Sequence, residues 1–410
     1  MIHYFPPSPH LSFVFVHVRI NTLTQTGFFY IMGHGVDPAH VLALEAASRV
    51  FFSQPTDVKM RVSMDKGGPA WRGYFRVGDE LTSGLPDLKE GLYFGTELPA
   101  DAPAVVARIP MHGANLWPRS GDGDTRDSNN NAETAAATQT TEASGAESES
   151  ESKQATVASE FAETAADAEL RTLVLSHLTQ MTALGHTVMS GVSRALGLPP
   201  DFLRARFMRD PLCLFRIFNY PAPAALKAQF AATGALLSDA AATVASESAR
   251  SRPLWSVGEH TDYGMLTILH QDQSGGLQVR RVADGRWAPA PPVAGSFVVN
   301  IGDMLERLTG GLFVSTPHRV LNPANAGRIS FPFFFDPSFD ADTAPLLGES
   351  ERLAAPRAAN GSAATTYTRW DGRPVGLADV QGTYGQYILG KVAKVFPQLA
   401  VQERIAADKN

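Results

Sequence analysis

Three side chains could hold one metal ion between them. His260 and Asp262 stand two residues apart in Gly258-Glu259-His260-Thr261-Asp262, and His318 lies in Ser315-Thr316-Pro317-His318-Arg319-Val320. On an extended strand, residues i and i+2 project to the same face, so His260 and Asp262 are expected to present an imidazole and a carboxylate together. His318 follows 56 residues after Asp262. That is long enough for several antiparallel strands to return it beside the pair. Two imidazoles and one carboxylate leave three positions open on an octahedral ion, which suits non-haem iron(II) meeting O2 and a chelating acid. A closed structural zinc site usually draws on thiolates, and this chain has a single cysteine.

Ten residues beyond His318 comes Arg328-Ile329-Ser330, a second i, i+2 pair. A guanidinium fork beside a hydroxyl is what a buried carboxylate needs, and a buried arginine without an anion would be costly. Taken singly, His260 reads equally well as a satisfied core histidine and Asp262 as a turn residue. The full set in this order and spacing is the specific signal.

These residues need strands to carry them. From Leu212 onward short apolar runs cover 212–220, 265–271, 276–282, 296–301, 315–321 and 328–336, broken by Gly275-Gly276, Asp284-Gly285, Pro291-Pro292 and Asn322-Pro323. Short strands at this spacing predict a sandwich or jelly roll. Helices flank them. Asp37-Pro38 caps a helix whose apolar positions Val41, Leu44, Ala47 and Phe51 recur until Pro55. A long core-facing stripe runs from Leu170 to Leu196 and closes at Gly197. Helical spacing returns at Tyr384, Tyr387-Ile388, Val392 and Val395-Phe396. The fold class expected is therefore mainly β with flanking helices.

The organisation that follows is an N-terminal region over 1–110, an insert over 118–165, the long helix within 166–205, a catalytic core over 210–345 and a C-terminal helix within 370–405. The stretch 121–160 is Ser, Thr, Ala, Glu and Asn with almost no large apolar residue, so a disordered loop is expected there. A second Ala/Ser-rich insertion is read over about 222–252. The stretch 11–18 is apolar without a preceding basic residue, and reads as a strand rather than a signal peptide.

Hydrophobic residues make up 44% of the 410, enough to build a sizeable core. The net charge is −6, of which residues 122–160 carry −7 (nine acidic, two basic), leaving the rest near +1. There is no basic block, so the composition gives neither a nucleic-acid footprint nor a polybasic membrane segment. No apolar run is long enough to span a bilayer. The partner expected is a small molecule, and the protein a cytoplasmic monomer. Cys213, inside Leu212-Cys213-Leu214-Phe215, reads as a buried structural thiol. His177 and His186 on the long helix read as packing or surface residues, and His34, His112 and His270 as structural.

With these motifs in hand, the chain resembles the isopenicillin N synthase-like branch of the iron(II)/2-oxoglutarate-dependent dioxygenases. Gly27-Phe28-Phe29-Tyr30-Ile31 with Gly33-His34-Gly35-Val36 is similar to that family's N-terminal signature. Arg72-Gly73-Tyr74-Phe75 and Lys89-Glu90-Gly91-Leu92-Tyr93-Phe94-Gly95 match its next block. Asn300-Ile301-Gly302-Asp303-Met304-Leu305 and the His318 segment match its core. Residues 1–26 do not match well, which leaves the true start open, and Phe218 stands where some relatives carry a polar residue.

The resemblance implies a double-stranded β-helix with His260, Asp262 and His318 as iron ligands. It implies that Arg328 and Ser330 bind the distal carboxylate of 2-oxoglutarate, with Tyr220 of Asn219-Tyr220-Pro221 nearby. The activity implied is oxidative decarboxylation of 2-oxoglutarate to succinate and CO2, coupled to hydroxylation or a related C–H oxidation of a small molecule. Thymine-like compounds are among the candidates; O2 is consumed, and ascorbate is a further candidate cofactor. Tyr74, Phe75 and Phe335 are the candidate substrate residues, Phe335 as part of the aromatic run Phe331-Pro332-Phe333-Phe334-Phe335 at the pocket border. Two rivals stand beside this reading. Isopenicillin N synthase-like and aminocyclopropane carboxylate oxidase-like enzymes keep the same residues but use no 2-oxoglutarate; a catalytically inactive binding or scaffold protein would bind no iron.

Overall fold

The computed structural model describes residues 20–82, 85–118, 164–226, 255–321, 327–346 and 382–395. The strand read over 11–18, the insert over 121–160 and most of the stretch 222–252 lie outside these residues.

Among the described residues the chain forms thirteen strands. They are β1 (Phe28–Met32), β2 (Gly73–Phe75), β3 (Leu81–Thr82), β4 (Leu85–Pro86), β5 (Glu90–Gly95), β6 (Pro211–Tyr220) and β7 (Trp255–His260). Then come β8 (Leu266–Gln271), β9 (Leu277–Arg280), β10 (Trp287–Pro289), β11 (Ser296–Ile301), β12 (His318–Leu321) and β13 (Arg328–Ser338). A seven-stranded antiparallel sheet runs β1-β11-β8-β13-β6-β5-β2, and a four-stranded one β10-β9-β12-β7. Both sheets contribute to the lining of one cavity. This is the jelly roll that the strand spacing predicts. The strand read from Ser315 begins only at His318, after Pro317, which has no amide hydrogen to give a ladder.

Strand β13 shows how the sequence sorts its faces. Phe331, Phe333 and Phe335 are fully buried on one side, while Arg328, Ser330, Pro332, Phe334 and Asp336 alternate with them and line the cavity. The phenylalanine side packs on the long helix Ala165–Ala195, where His186 meets the Phe335 ring edge-on at 4.9 Å. A Cβ at Gly185 would stand 2.7 Å from Phe335, so the glycine permits the close approach of helix and sheet. Each buried ring contributes roughly 2–3 kcal/mol of apolar burial. Phe335 is therefore a core residue, a correction to its reading as a substrate contact: the period of two sends it to the helix and its neighbour Phe334 to the cavity.

The helices follow their sequence signals. Asp37 accepts the Ala39 amide at the start of Pro38–Phe52. Thr164 and Asp167 form a reciprocal capping box at the head of the long helix. His177 is buried on that helix between His40 and Phe215, and His186 packs on Phe335, so both serve packing. The helix Tyr384–Val395 lays Ile388, Lys391, Val392 and Val395 against the cavity.

Candidate metal centre

His260 ends β7 and His318 begins β12, and the two are direct partners across that ladder, with ring centroids 4.2 Å apart. Asp262 is not on the strand. It lies in the turn beyond β7, so the strand-face argument does not account for its placement. Its carboxylate is aimed instead by the larger sheet: Asn300 of β11 donates to Oδ2 at 2.7 Å, and the Thr267 hydroxyl of β8 donates to the same oxygen. The Asp303 amide holds the Asp262 carbonyl at 2.7 Å. Oδ1 then stands 3.7 Å from His260 Nε2 and 3.6 Å from His318 Nε2. The three ligand atoms lie within 4.8 Å of one another, the one such group of three among the described residues.

The tautomers suit a metal. Each Nδ1 faces a carbonyl, Gly258 O at 2.9 Å for His260 and Thr316 O at 3.2 Å for His318. A carbonyl only accepts, so the proton sits on Nδ1 and Nε2 is left to coordinate. Burial lowers His318 to about 4, so this imidazole is neutral. Burial by itself would raise Asp262, but the facing imidazoles and the Thr267 and Asn300 donors hold it below the ordinary carboxylate range. The two Nε2 atoms and one ionised carboxylate make a donor set that fits a divalent ion such as iron(II).

Arg328 opens β13 and is almost wholly buried. Its Nε donates to Gly275 O at 2.8 Å and Nη1 to Ser330 Oγ at 3.0 Å, and the guanidinium lies 4.6 Å over the Tyr220 ring. Asp272 anchors the strand behind it by accepting the Ile329 amide at 2.7 Å. Gly276, at φ +90°, has no room for a side chain against Leu321 O, so the turn that supplies the Gly275 carbonyl demands glycine.

The triad, Arg328, Ser330 and Tyr220 all line one cavity of about 200 Å³. Tyr74 and Phe75 do not line it. The Tyr74 hydroxyl donates to Glu90, and the Phe75 ring packs on Tyr93 and Phe218. Phe334 of the aromatic run does line it, as do Glu80, Lys89, Arg216 and Asp336, which escaped the sequence reading. Arg216 carried a signal: it is a lone cation in the apolar run from Leu212 to Phe218, in phase with Tyr220. Asp336 accepts the Tyr384 hydroxyl at 2.6 Å, and burial pushes its carboxyl up to about 7. His34 packs at a tilt on Phe297 and His112 meets Phe339 edge-on, both away from the cavity. Cys213 is buried, and burial raises its thiol to about 12.

Comparison with known proteins agrees with this construction. Residues 245–337 match the 2OG-Fe(II) oxygenase superfamily, and residues 20–120 match the family described as non-haem dioxygenase in morphine synthesis N-terminal. A Dictyostelium discoideum protein named "Probable iron/ascorbate oxidoreductase" is 41% identical over 92% of this chain and 88% of its own length. A 1-aminocyclopropane-1-carboxylate oxidase of the same organism is 30% identical over 91% of this chain and 88% of its own. Among solved structures, the full-length thymine 7-hydroxylase of Neurospora crassa in complex with alpha-KG has a TM-score of 0.60 at 22% identity, covering 91% of this chain and 88% of that one. The rice dioxygenase for auxin oxidation has a TM-score of 0.52 at 22% identity, over 92% and 88%. The chain belongs to the 2OG-Fe(II) oxygenase superfamily, in its isopenicillin N synthase-like class. It is an iron- and 2-oxoglutarate-dependent oxidoreductase.

Proposed function

We propose that His260, Asp262 and His318 hold the iron(II), and that Arg328, Ser330 and Tyr220 bind the far carboxylate of 2-oxoglutarate. One observation carries this reading: a guanidinium only 1% exposed lines the same cavity as the triad. Gly275 O and Ser330 Oγ occupy two of its donors, and a bidentate carboxylate is the partner its charge and shape fit. Iron(II) held there would supply activation of O2, the oxidant: one oxygen atom goes into succinate as 2-oxoglutarate loses CO2 and the other goes to oxidation of the substrate C–H bond, so each of the two gives up two electrons. The chain's own part is positional. Thr267 and Asn300 tie one oxygen of Asp262 and leave the other to the metal, Gly258 and Thr316 orient the imidazoles, and Tyr220 supports the arginine plane. Apolar walls from Val257, Leu269 and Val320 exclude water.

The test is Arg328→Ala, expected to raise the KM for 2-oxoglutarate by roughly a hundredfold while the iron is still bound, as loss of a charge-assisted pair implies. An unchanged KM would remove Arg328 from this role.

The relatedness to an aminocyclopropane carboxylate oxidase supports a second reading, in which Arg328 holds the substrate's own anion. Product formed in step with succinate favours the first reading; equal product without 2-oxoglutarate favours the second. Thymine-like compounds remain a candidate substrate class, the Neurospora crassa enzyme having been solved with thymine. A relative 29% identical over 78% of this chain is named a homoarginine-6-hydroxylase.

A further inference from the structure

The geometry points to Arg216 as the residue that anchors the substrate, and to a carboxylic acid with an apolar body as the substrate class. This rests on the reading that Arg328 is taken by 2-oxoglutarate.

Arg216 lines the cavity from β6, in phase with Tyr220. Tyr220 pairs with Arg328 across the β6–β13 ladder. Four residues of strand put the two arginines about 13 Å apart along one wall. The Arg216 guanidinium is clamped between two rings, 4.1 Å from Tyr93 and 4.6 Å from Phe334. The clamp fixes its plane and leaves its edge to make hydrogen bonds. Its side chain is 18% exposed, and its one hydrogen bond among the described residues is Nη1 to Glu80 at 3.4 Å. That is long for a charge-assisted contact, which normally closes to about 2.8 Å. Nε is buried with no partner.

Glu80 balances the charge of Arg216 but is shared and leaves that residue's donors unfilled. Its carboxylate already accepts the Tyr93 hydroxyl at 2.7 Å and pairs with Lys89 at 2.7 Å. Lys89 in turn also pairs with Asp87. Arg216 is thus a guanidinium with donors to spare, held rigid in a cavity that Lys391 also lines. A neutral carbonyl would fill one of its open donors; a carboxylate fills two in one plane. In the same cavity Leu214, Phe334, Ile388, Val392 and Val395 offer apolar surface, which suits a hydrocarbon body, with the Asp336 carboxyl beside them.

Calorimetric titration under anaerobic conditions tests this on the iron(II)-loaded protein with 2-oxoglutarate saturating. The probes are ω-phenyl monocarboxylates from phenylacetate to 5-phenylpentanoate, their primary amides, and thymine. At least one acid is expected to bind tenfold or more tighter than its amide and than thymine. Arg216→Met, which keeps the stem between the rings, should weaken that acid by tenfold to about a hundredfold. Arg216→Lys keeps the charge but not the fork and should fall between, so it decides the matter if the methionine variant does not fold. No acid binding, amide or thymine binding as tight as acid, or acid affinity unchanged in both variants overturns the inference. The 2-oxoglutarate affinity is measured on the same proteins and on Arg328→Ala. If it moves with Arg216 and not with Arg328, the co-substrate reading fails, whereas the acid series reports on Arg216 alone.

Discussion

Two arginines stand on one wall of the cavity and live in opposite circumstances. Arg328 is sealed: two protein acceptors, an aromatic ring beneath, and a strand pinned by Asp272. Arg216 is clamped by aromatic rings but poorly hydrogen-bonded, and near it Asp336 carries a carboxyl raised by burial. On the proposed reading the first end takes one constant ligand, and two of the arginine's donors are already spent on protein acceptors. The second end fixes the plane of a charge and leaves the identity of its partner to the ligand. A family that keeps one co-substrate and varies the other has reason to build its cavity in this asymmetric way.

The candidate metal centre shares this cavity, and breaking it should have the largest effect. Replacing His318 by Ala removes one of three ligands with no spare side chain nearby, so turnover should drop by roughly a thousandfold or more with the fold retained. Full activity in that variant would take His318 out of the ligand set. Far-ultraviolet circular dichroism and iron content report fold and metal separately.

Next in size is the pH response at the Asp336 end. A carboxyl raised from 3.8 to about 7 on folding is protonated more readily folded than unfolded. Burying it therefore costs nothing extra well below the unfolded value. The cost grows as pH rises towards the folded value and levels off above it, at up to about 4 kcal/mol. Asp336→Asn keeps an acceptor for Tyr384 and should gain stability over the native chain at about pH 8 but not at about pH 4. Chemical denaturation at both values gives the difference, and equal shifts at the two would show that Asp336 ionises normally.

Swapping arginine for lysine sharpens the contrast between the two ends. Arg328→Lys should weaken 2-oxoglutarate about tenfold, because an ammonium cannot reproduce the fork. Arg216→Lys should leave that affinity within about twofold. Equal losses from the two swaps would mean that the ends are one site.

The smallest effect expected is in the support of Asp262. Asn300→Ala frees one oxygen to rotate and should weaken iron binding by about tenfold, near the low end for loss of a ligand's supporting partner. Metal titration against a chelator measures it, and unchanged affinity would assign the orientation of Asp262 to Thr267 alone.

The two ends also differed in how readable they were. His260, Asp262, His318, Arg328 and Ser330 come from short motifs in which residue type and spacing both carry information. Phe335 was misread because a run of five residues, Phe331-Pro332-Phe333-Phe334-Phe335, gives no cue to which phase of the alternation faces the cavity. Tyr74 and Phe75 sit in a motif block yet pack behind the cavity. Glu80, Lys89 and Arg216 come from separate strands and loops, and nothing in their local sequence says that they meet.

Local sequence by itself determined the helices through their caps and apolar stripes, most strands through alternation, and the identity of the candidate ligands. Tertiary structure alone decided how Asp262 is aimed. It lies off the strand, and its direction comes from Thr267 and Asn300 on two other strands. It also decided which face of β13 meets the long helix, where Gly185 leaves room for the Phe335 ring. The physical reason is the same in both cases. Propensity and periodicity act over a few residues, whereas the aim of a carboxylate or the choice of a buried face is set by partners tens of residues away.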